Sequence, residues 1–162
     1  MSHPDLLEIV LDSWDRNNTI LVNLLHLIPE DAFALSAIAG SPTIAKLFTH
    51  MHYVRLVFVA EDAPEHARPV PDEEWQAEYN RERIAQQLHE SALAVRNAVQ
   101  GRIQSGRPMD LHYDHPILML QHLIWHEGYH QGQIKLTLKA AGHPIDDEKA
   151  GPLTWDIWMD KS

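Results

Sequence analysis

Apolar residues recur near the start of the chain at steps of three and four: Leu6, Val10, Trp14, Leu21, Leu24 and Ile28, with Asn17 in the same row. That is the spacing of one face of an α-helix, and it predicts a helix from about Pro4 to Leu27. Pro4 suits a first helical turn, and Pro29 stops the run. A linker to Gly40 follows, with a short helical turn expected within Asp31–Ile38. A second helix is expected from Ser41-Pro42, an N-cap followed by proline at the first helical position, with Leu47, Val54 and Val57 as its stripe and an end at Glu61–Pro64. A third is expected from Asp72-Glu73-Glu74, because acidic residues favour a helix N-terminus. Its stripe is Ile84, Leu88, Ala92, Val95, Val99 and Ile103, and it ends at Gly106-Arg107-Pro108.

The fourth helix runs from Asp114-His115-Pro116 to Gly142-His143-Pro144, an early proline at one end and a glycine with proline beyond it at the other. A tail from Gly151 carries Trp155 and Trp158. No segment alternates with period two, and no internal repeat is visible. The expected architecture is therefore all-α, a four-helix bundle formed by residues 1–162 as a single domain.

Composition removes several classes of function. With no cysteine, the chain has no disulfide, thiolate metal site or cysteine nucleophile, and any thiol chemistry needs a thiol from a co-substrate. A formal charge of −10 with scattered Lys and Arg argues against nucleic-acid binding, which needs clustered cations. No 18-residue apolar stretch exists to span a membrane, and Met1-Ser2-His3-Pro4-Asp5 lacks the regions of a signal peptide. A soluble, cytoplasmic protein is the expectation. Histidine stands out at 12 residues.

The most informative string is His126-Glu127-Gly128-Tyr129-His130. Residues four apart stand one above the other on a helix, so two imidazoles can reach one ion. On a wheel of helix four, His130 falls among Leu123, Ile134, Leu138, Met119 and Leu120, His126 lies at the edge of that cluster, and His122 lies farther round. On helix two, His50 shares a face with Thr43, Leu47, Val54 and Val57, whereas His52 points the opposite way beside Arg55 and Val59. His50, His126 and His130 thus form a three-histidine set. Three protein ligands with open positions describe a catalytic metal site better than a structural one, which is normally closed by four. Glu127 also projects inward, where an unpaired carboxylate is costly; it is expected to support a ligand, act as a general base or pair with an inward arginine. Asn17 and Arg81 interrupt apolar stripes and are expected to be hydrogen-bonding or ion-pairing devices. Gly128 and Gly132 each cost about 1 kcal/mol in a helix relative to Ala, which close approach of a neighbouring helix or a ligand would explain.

The stretch His126-Glu127-Gly128-Tyr129-His130-Gln131-Gly132-Gln133-Ile134 resembles the helix-four signature H-E-x-H-H-R-G-Q-[IL] of the DinB/YfiT-like family of metal-dependent enzymes. Leu47-Phe48-Thr49-His50-Met51-His52-Tyr53-Val54 is similar to its helix-two pattern L-L-x-H-x-x-x-V, and Ala141-Gly142-His143-Pro144 and the Trp155–Trp158 pair also fit. The resemblance implies a four-helix bundle, often homodimeric, with a divalent metal on residues that match His50, His126 and His130. Tyr129 stands where the family commonly has a second histidine, and Gln131 where it has an arginine. Neither is a ligand position, so these departures bear on the substrate.

Three functions compete. The first is a metal-dependent enzyme of the kind the resemblance implies, a hydrolase or a transferase acting on a small molecule with a low-molecular-weight thiol. Its metal would be zinc or nickel, with iron or manganese also compatible with histidine ligands. The second is an HExxH peptidase with Glu127 as base. Its downstream third ligand could only be Glu148, 18 residues past His130, but Gly142-His143-Pro144 intervenes and no strand precedes the helix. The longer H-E-x-x-H-x-x-G-x-x-H form fails because residues 133 and 136 are Gln and Leu. The third is a non-catalytic, stress-related ligand- or metal-binding protein.

Overall fold

In the computed structural model, which describes residues 5–161, the chain forms α1 (Leu6–Leu27), α2 (Ile44–Asp62), α3 (Arg81–Gln104), α4 (Pro116–Ala140) and a short α5 (Asp147–Ala150). Four 3₁₀ turns, Glu30–Ala34, Pro64–His66, Gly151–Leu153 and Trp155–Met159, lie between and after them. No strand occurs among the described residues, so the fold is all-α as expected. Pro4 and the stretch before it lie outside the described residues; the first cap that can be placed is Asp5, which accepts from the Leu7 N–H.

Local chemistry sets the boundaries, and in two places it corrects the pattern. Helix α2 begins at Ile44, not at Ser41-Pro42. Thr43 is the N-cap, accepting from Lys46 N–H at 3.3 Å. Ser41 is held in a turn instead, its hydroxyl donating to the Ile38 carbonyl at 2.9 Å, and the Ile44 N–H goes to the Leu35 carbonyl at 2.9 Å. Helix α3 begins at Arg81, not near Asp72, with Asn80 accepting from Arg83 N–H at 3.0 Å. Acidic charge can stabilise a helix start but does not create one. Residues 67–80 instead run as an irregular strap across α2, fastened where Thr49 Oγ1 donates to the Gln76 carbonyl at 2.9 Å. Helix α4 keeps its expected ends: His115 is the N-cap, Pro116 the first helical residue, and Gly142 takes the left-handed conformation (φ 81°) beyond the C-terminus.

Helix α3 packs on α1 and α2, and α4 packs on α1, α2 and α3. Because α2 is covered from two sides, its buried face is broader than the expected stripe. His52, Arg55 and Val59, expected to face away from the core, are all buried, while Val54 and Val57 are only half-buried. The core itself is in two apolar halves. One holds Leu25, Ile28, Phe33, Phe48, Met51 and Ile134; the other holds Leu11, Trp14, Leu56, Val95, Val99 and Leu123. A buried polar layer of Asn17, Asn18, Arg55, Ser91 and Glu127 lies between those halves in the order of residues along every helix.

Arg81 behaves as the sequence suggested: its Nη2 donates to the Ile28 carbonyl at 2.6 Å, sealing the end of α1, and its guanidinium lies 5.7 Å from the Phe33 ring centroid. For the two α4 glycines, one of the two expected explanations falls away. A Cβ at Gly128 or Gly132 would meet nothing within 4 Å, so no neighbouring helix approaches closely there. Both border an open cleft of about 290 Å³ between α1, α4 and the Trp155–Trp158 tail. Gly128→Ala and Gly132→Ala are therefore expected to stabilise the protein by about 1 kcal/mol each, the helix-propensity difference undiminished by crowding. Urea titration of the single and double variants checks this; destabilisation by either would show that the glycine is needed.

Candidate metal centre

Helix α4 carries His126 and His130 one turn apart, and α2 brings His50 against them. Their ring nitrogens converge. The Nε2 atoms of His50 and His126 are 3.1 Å apart, those of His130 and His126 are 3.0 Å apart, and one ligand atom from each of the three residues lies within 4.8 Å of the others. His50 and His130 are buried and His126 is half-buried. His52 and His122 are not part of the cluster. His52 is buried elsewhere on α2, and exposed His122 shares a hydrogen bond of 2.8 Å with the Tyr113 hydroxyl.

The surroundings decide which nitrogens carry protons. Gln133 donates through Nε2 to the Tyr129 hydroxyl at 3.1 Å and presents Oε1 to His130 Nδ1 at 2.7 Å. An amide oxygen only accepts, so His130 carries its proton on Nδ1 and turns a bare Nε2 lone pair into the cluster. Glu74 Oε1 lies 2.8 Å from His50 Nδ1, out of line for a hydrogen bond but favouring a proton on that side. The Trp75 ring stacks on His50 at 3.9 Å and 5°, fixing its plane. His126 Nδ1 is buried without a partner.

A single N–H on His126 could satisfy one neighbour and would leave the other lone pair opposed. A cation at the centre would satisfy all three. With metal–nitrogen bonds of about 2.0–2.1 Å, ligand nitrogens should sit roughly 2.9 Å apart at right angles and roughly 3.3 Å apart at tetrahedral angles. The His50–His126 and His130–His126 pairs, at 3.1 and 3.0 Å, fall between these, and with all three residues offering ligand atoms within 4.8 Å of one another the group could hold a metal ion.

Electrostatics favour the same state. Burial, followed by the charge of His130, lowers the His50 pKa to about 4. Burial, followed by the charges of His130 and His50, also lowers His126 to about 4. Burial lowers His130 as well, against the hydrogen bond that its Nδ1–H donates to Gln133. The imidazoles are thus neutral at neutral pH, the form that binds metal. In the metal-free protein, the unfolded chain takes up protons near 6.5 while the folded chain resists until about 4. Stability is therefore present above about 6.5 and is lost progressively as pH falls toward 4. Urea midpoints in chelator at pH 7 and pH 5 should show this loss; equal midpoints would exclude it.

Glu127 is the other buried titratable group beside the cluster, and both its oxygens are engaged. Arg55 donates from Nε to Oε1 at 2.6 Å and from Nη2 to Oε2 at 2.8 Å, and Asn17 Nδ2 donates to Oε2 at 2.7 Å. Of the roles expected for Glu127, this geometry makes it the partner of an inward arginine. Glu74 and Trp75 were missed in the sequence, because loop residues carry no periodicity and the acidic run resembled a helix start. Tyr129, a departure from the expected signature, touches the site by accepting from Gln133; Gln131, the other departure, lines the cleft near Gly128 and Gly132.

A family model described as DinB family matches residues 1–149. Neither the curated proteins nor the solved structures contain a match.

Proposed function

The chain belongs to the DinB family, and on that premise we propose that it is a metal-dependent enzyme whose divalent ion is held by His50, His126 and His130. The observation that carries this reading is the convergence of three imidazole Nε2 atoms from two helices, with His130 locked by Gln133 into the tautomer that ligates. Three protein ligands leave coordination positions for a substrate. Such an ion lowers the pKa of a bound water or thiol and makes it a nucleophile at neutral pH. The chain has no cysteine, so in a transferase the thiol is a low-molecular-weight co-substrate; a hydrolase would use water. Zinc and nickel suit the imidazole set best, and iron and manganese are the alternatives.

The chain's own contribution is to orient the ligands. Gln133 and Tyr129 set the His130 ring, Glu74 and Trp75 set His50, and Glu127 stays with Arg55. The last point counts against an HExxH peptidase, whose glutamate must be free to take a proton from water. A homodimer forms part of the proposal: Leu118, Trp125, Tyr129 and Leu136 are exposed along the outer side of α4 at helical spacing. No described helix is long and apolar enough to cross a membrane.

The test is metal analysis of protein purified without a histidine tag or nickel column, followed by turnover assays with small thiols and electrophiles, with and without chelator. The expected result is about one metal per chain and turnover that chelator abolishes. Protein that neither retains nor takes up zinc, nickel, iron or manganese would overturn the metal reading. Stoichiometric metal without turnover across the substrate panel would favour a binding protein.

A further inference from the structure

The polar layer behind the histidines links all four long helices through one side chain. Besides its two bonds to Glu127 on α4, Arg55 of α2 donates from Nη1 to Asn18 Oδ1 on α1 at 2.9 Å and to the Leu88 carbonyl on α3 at 2.7 Å. Its guanidinium lies 4.8 Å from the Trp14 ring centroid, and Trp14 Nε1 donates to the Ala92 carbonyl at 2.9 Å. Arg55 and Glu127 are both 0 % exposed. A buried ion pair is weak evidence for stability, because apolar residues of similar volume often serve as well. Its place in the chain is more telling. Glu127 directly follows His126, and Arg55 lies five positions after His50, so the fork joins the same two helices that carry the histidines, beside them.

We propose that Arg55 and Glu127 are positioning residues that set the register of α2 against α4 and thereby hold His50 within metal-bonding reach of His126 and His130. This rests on the metal reading above. A slip of one helix residue along its axis moves a side chain by about 1.5 Å. Metal–nitrogen distances tolerate only about ±0.2 Å. Apolar burial above and below the layer is non-directional, whereas the two-point fork fixes two donor–acceptor geometries between α2 and α4 at once. A shift that broke bonds of 2.6 and 2.8 Å would also spread the 3.1 Å His50–His126 approach. Neither residue contributes to the converging ligand atoms, so the action is through the helices.

The test uses the full chain with cobalt(II) as probe, comparing wild type with the apolar double variant Arg55→Met/Glu127→Leu. Chelator-competition titration reads affinity, and visible absorption of the cobalt-saturated protein reads coordination geometry. Circular dichroism and the melting temperature in chelator report the fold. The expected result is a folded double variant with cobalt affinity about 10–100-fold weaker, the range for outer partners of metal ligands, and an altered cobalt spectrum. A folded variant with unchanged affinity and spectrum would overturn the proposal. If the double variant does not fold, Arg55→Lys replaces it, keeping the charge without the fork. Weaker affinity with a changed spectrum supports positioning, and wild-type values for both overturn it. Wild type that binds no cobalt would overturn the metal reading and this inference together, whereas failure of the inference alone leaves wild-type binding intact.

Discussion

Alanine at any one of His50, His126 or His130 should remove most bound metal, weakening affinity by more than about 100-fold, beyond the usual effect of outer partners. The site has three ligand nitrogens and no spare: among the described residues, no other His, Asp or Glu joins the cluster. Each loss leaves two imidazoles, and His50→Ala removes the only ligand from α2. His52→Ala and His122→Ala should retain metal, since one is buried elsewhere and the other is held by Tyr113. Metal content after gel filtration and competition titration measure this directly. Full occupancy in His50→Ala would remove α2 from the site, and loss in His122→Ala would move the site one turn along α4.

Arg55→Met alone should destabilise the metal-free protein by about 3–5 kcal/mol, the usual cost of breaking a buried pair by removing one partner. For a chain of this size, that lowers the melting temperature on the order of 10 °C. The reason is the group left behind. Glu127 would keep one direct donor, Asn17, and lose both bonds from the guanidinium while remaining inaccessible to water. Asn18 Oδ1 would also lose its donor, and the Leu88 carbonyl would lose one of its donors while keeping the Ser91 hydroxyl at 3.2 Å. Adding Glu127→Leu should recover most of the loss, because the orphaned carboxylate is removed with its partner. Denaturation must be run in chelator, so that metal binding to the native state does not contribute. A loss below about 1 kcal/mol in Arg55→Met would show that water or another donor replaces the guanidinium.

Much of the frame was legible because it depends on neighbours in the chain. The proline and glycine at the ends of α4 act on their own backbone, and those boundaries hold. The starts of α2 and α3 were misplaced because Ser41 and Asp72–Glu74 have chemistry suited to several local structures. A turn at Ile38 and the strap over α2 claim them instead. The broad buried face of α2 was misjudged for a related reason. A wheel assumes one buried side, and α2 is enclosed by both α3 and α4.

The residues of the candidate site divide in the same way. His126 and His130 could be read as a pair because four residues make one helical turn, and His50 because its side of α2 could be drawn from sequence spacing. Their convergence within 4.8 Å depends on how α2 lies against α4, which no local pattern specifies. Glu127 could be recognised as inward and in need of a partner, since a lone buried carboxylate is unfavourable in any fold. That its partner is Arg55, 72 positions away and on a face expected to point outward, was decided by tertiary structure. So was the placing of Glu74 and Trp75 over His50. Local periodicity and capping act through bonds a few residues apart, so the presence of the four long helices, the ends of α4 and the histidine candidates could be read from the chain. Ion pairs and ring stacking join residues far apart in the chain, so only the packed helices could select the contacts that surround those histidines.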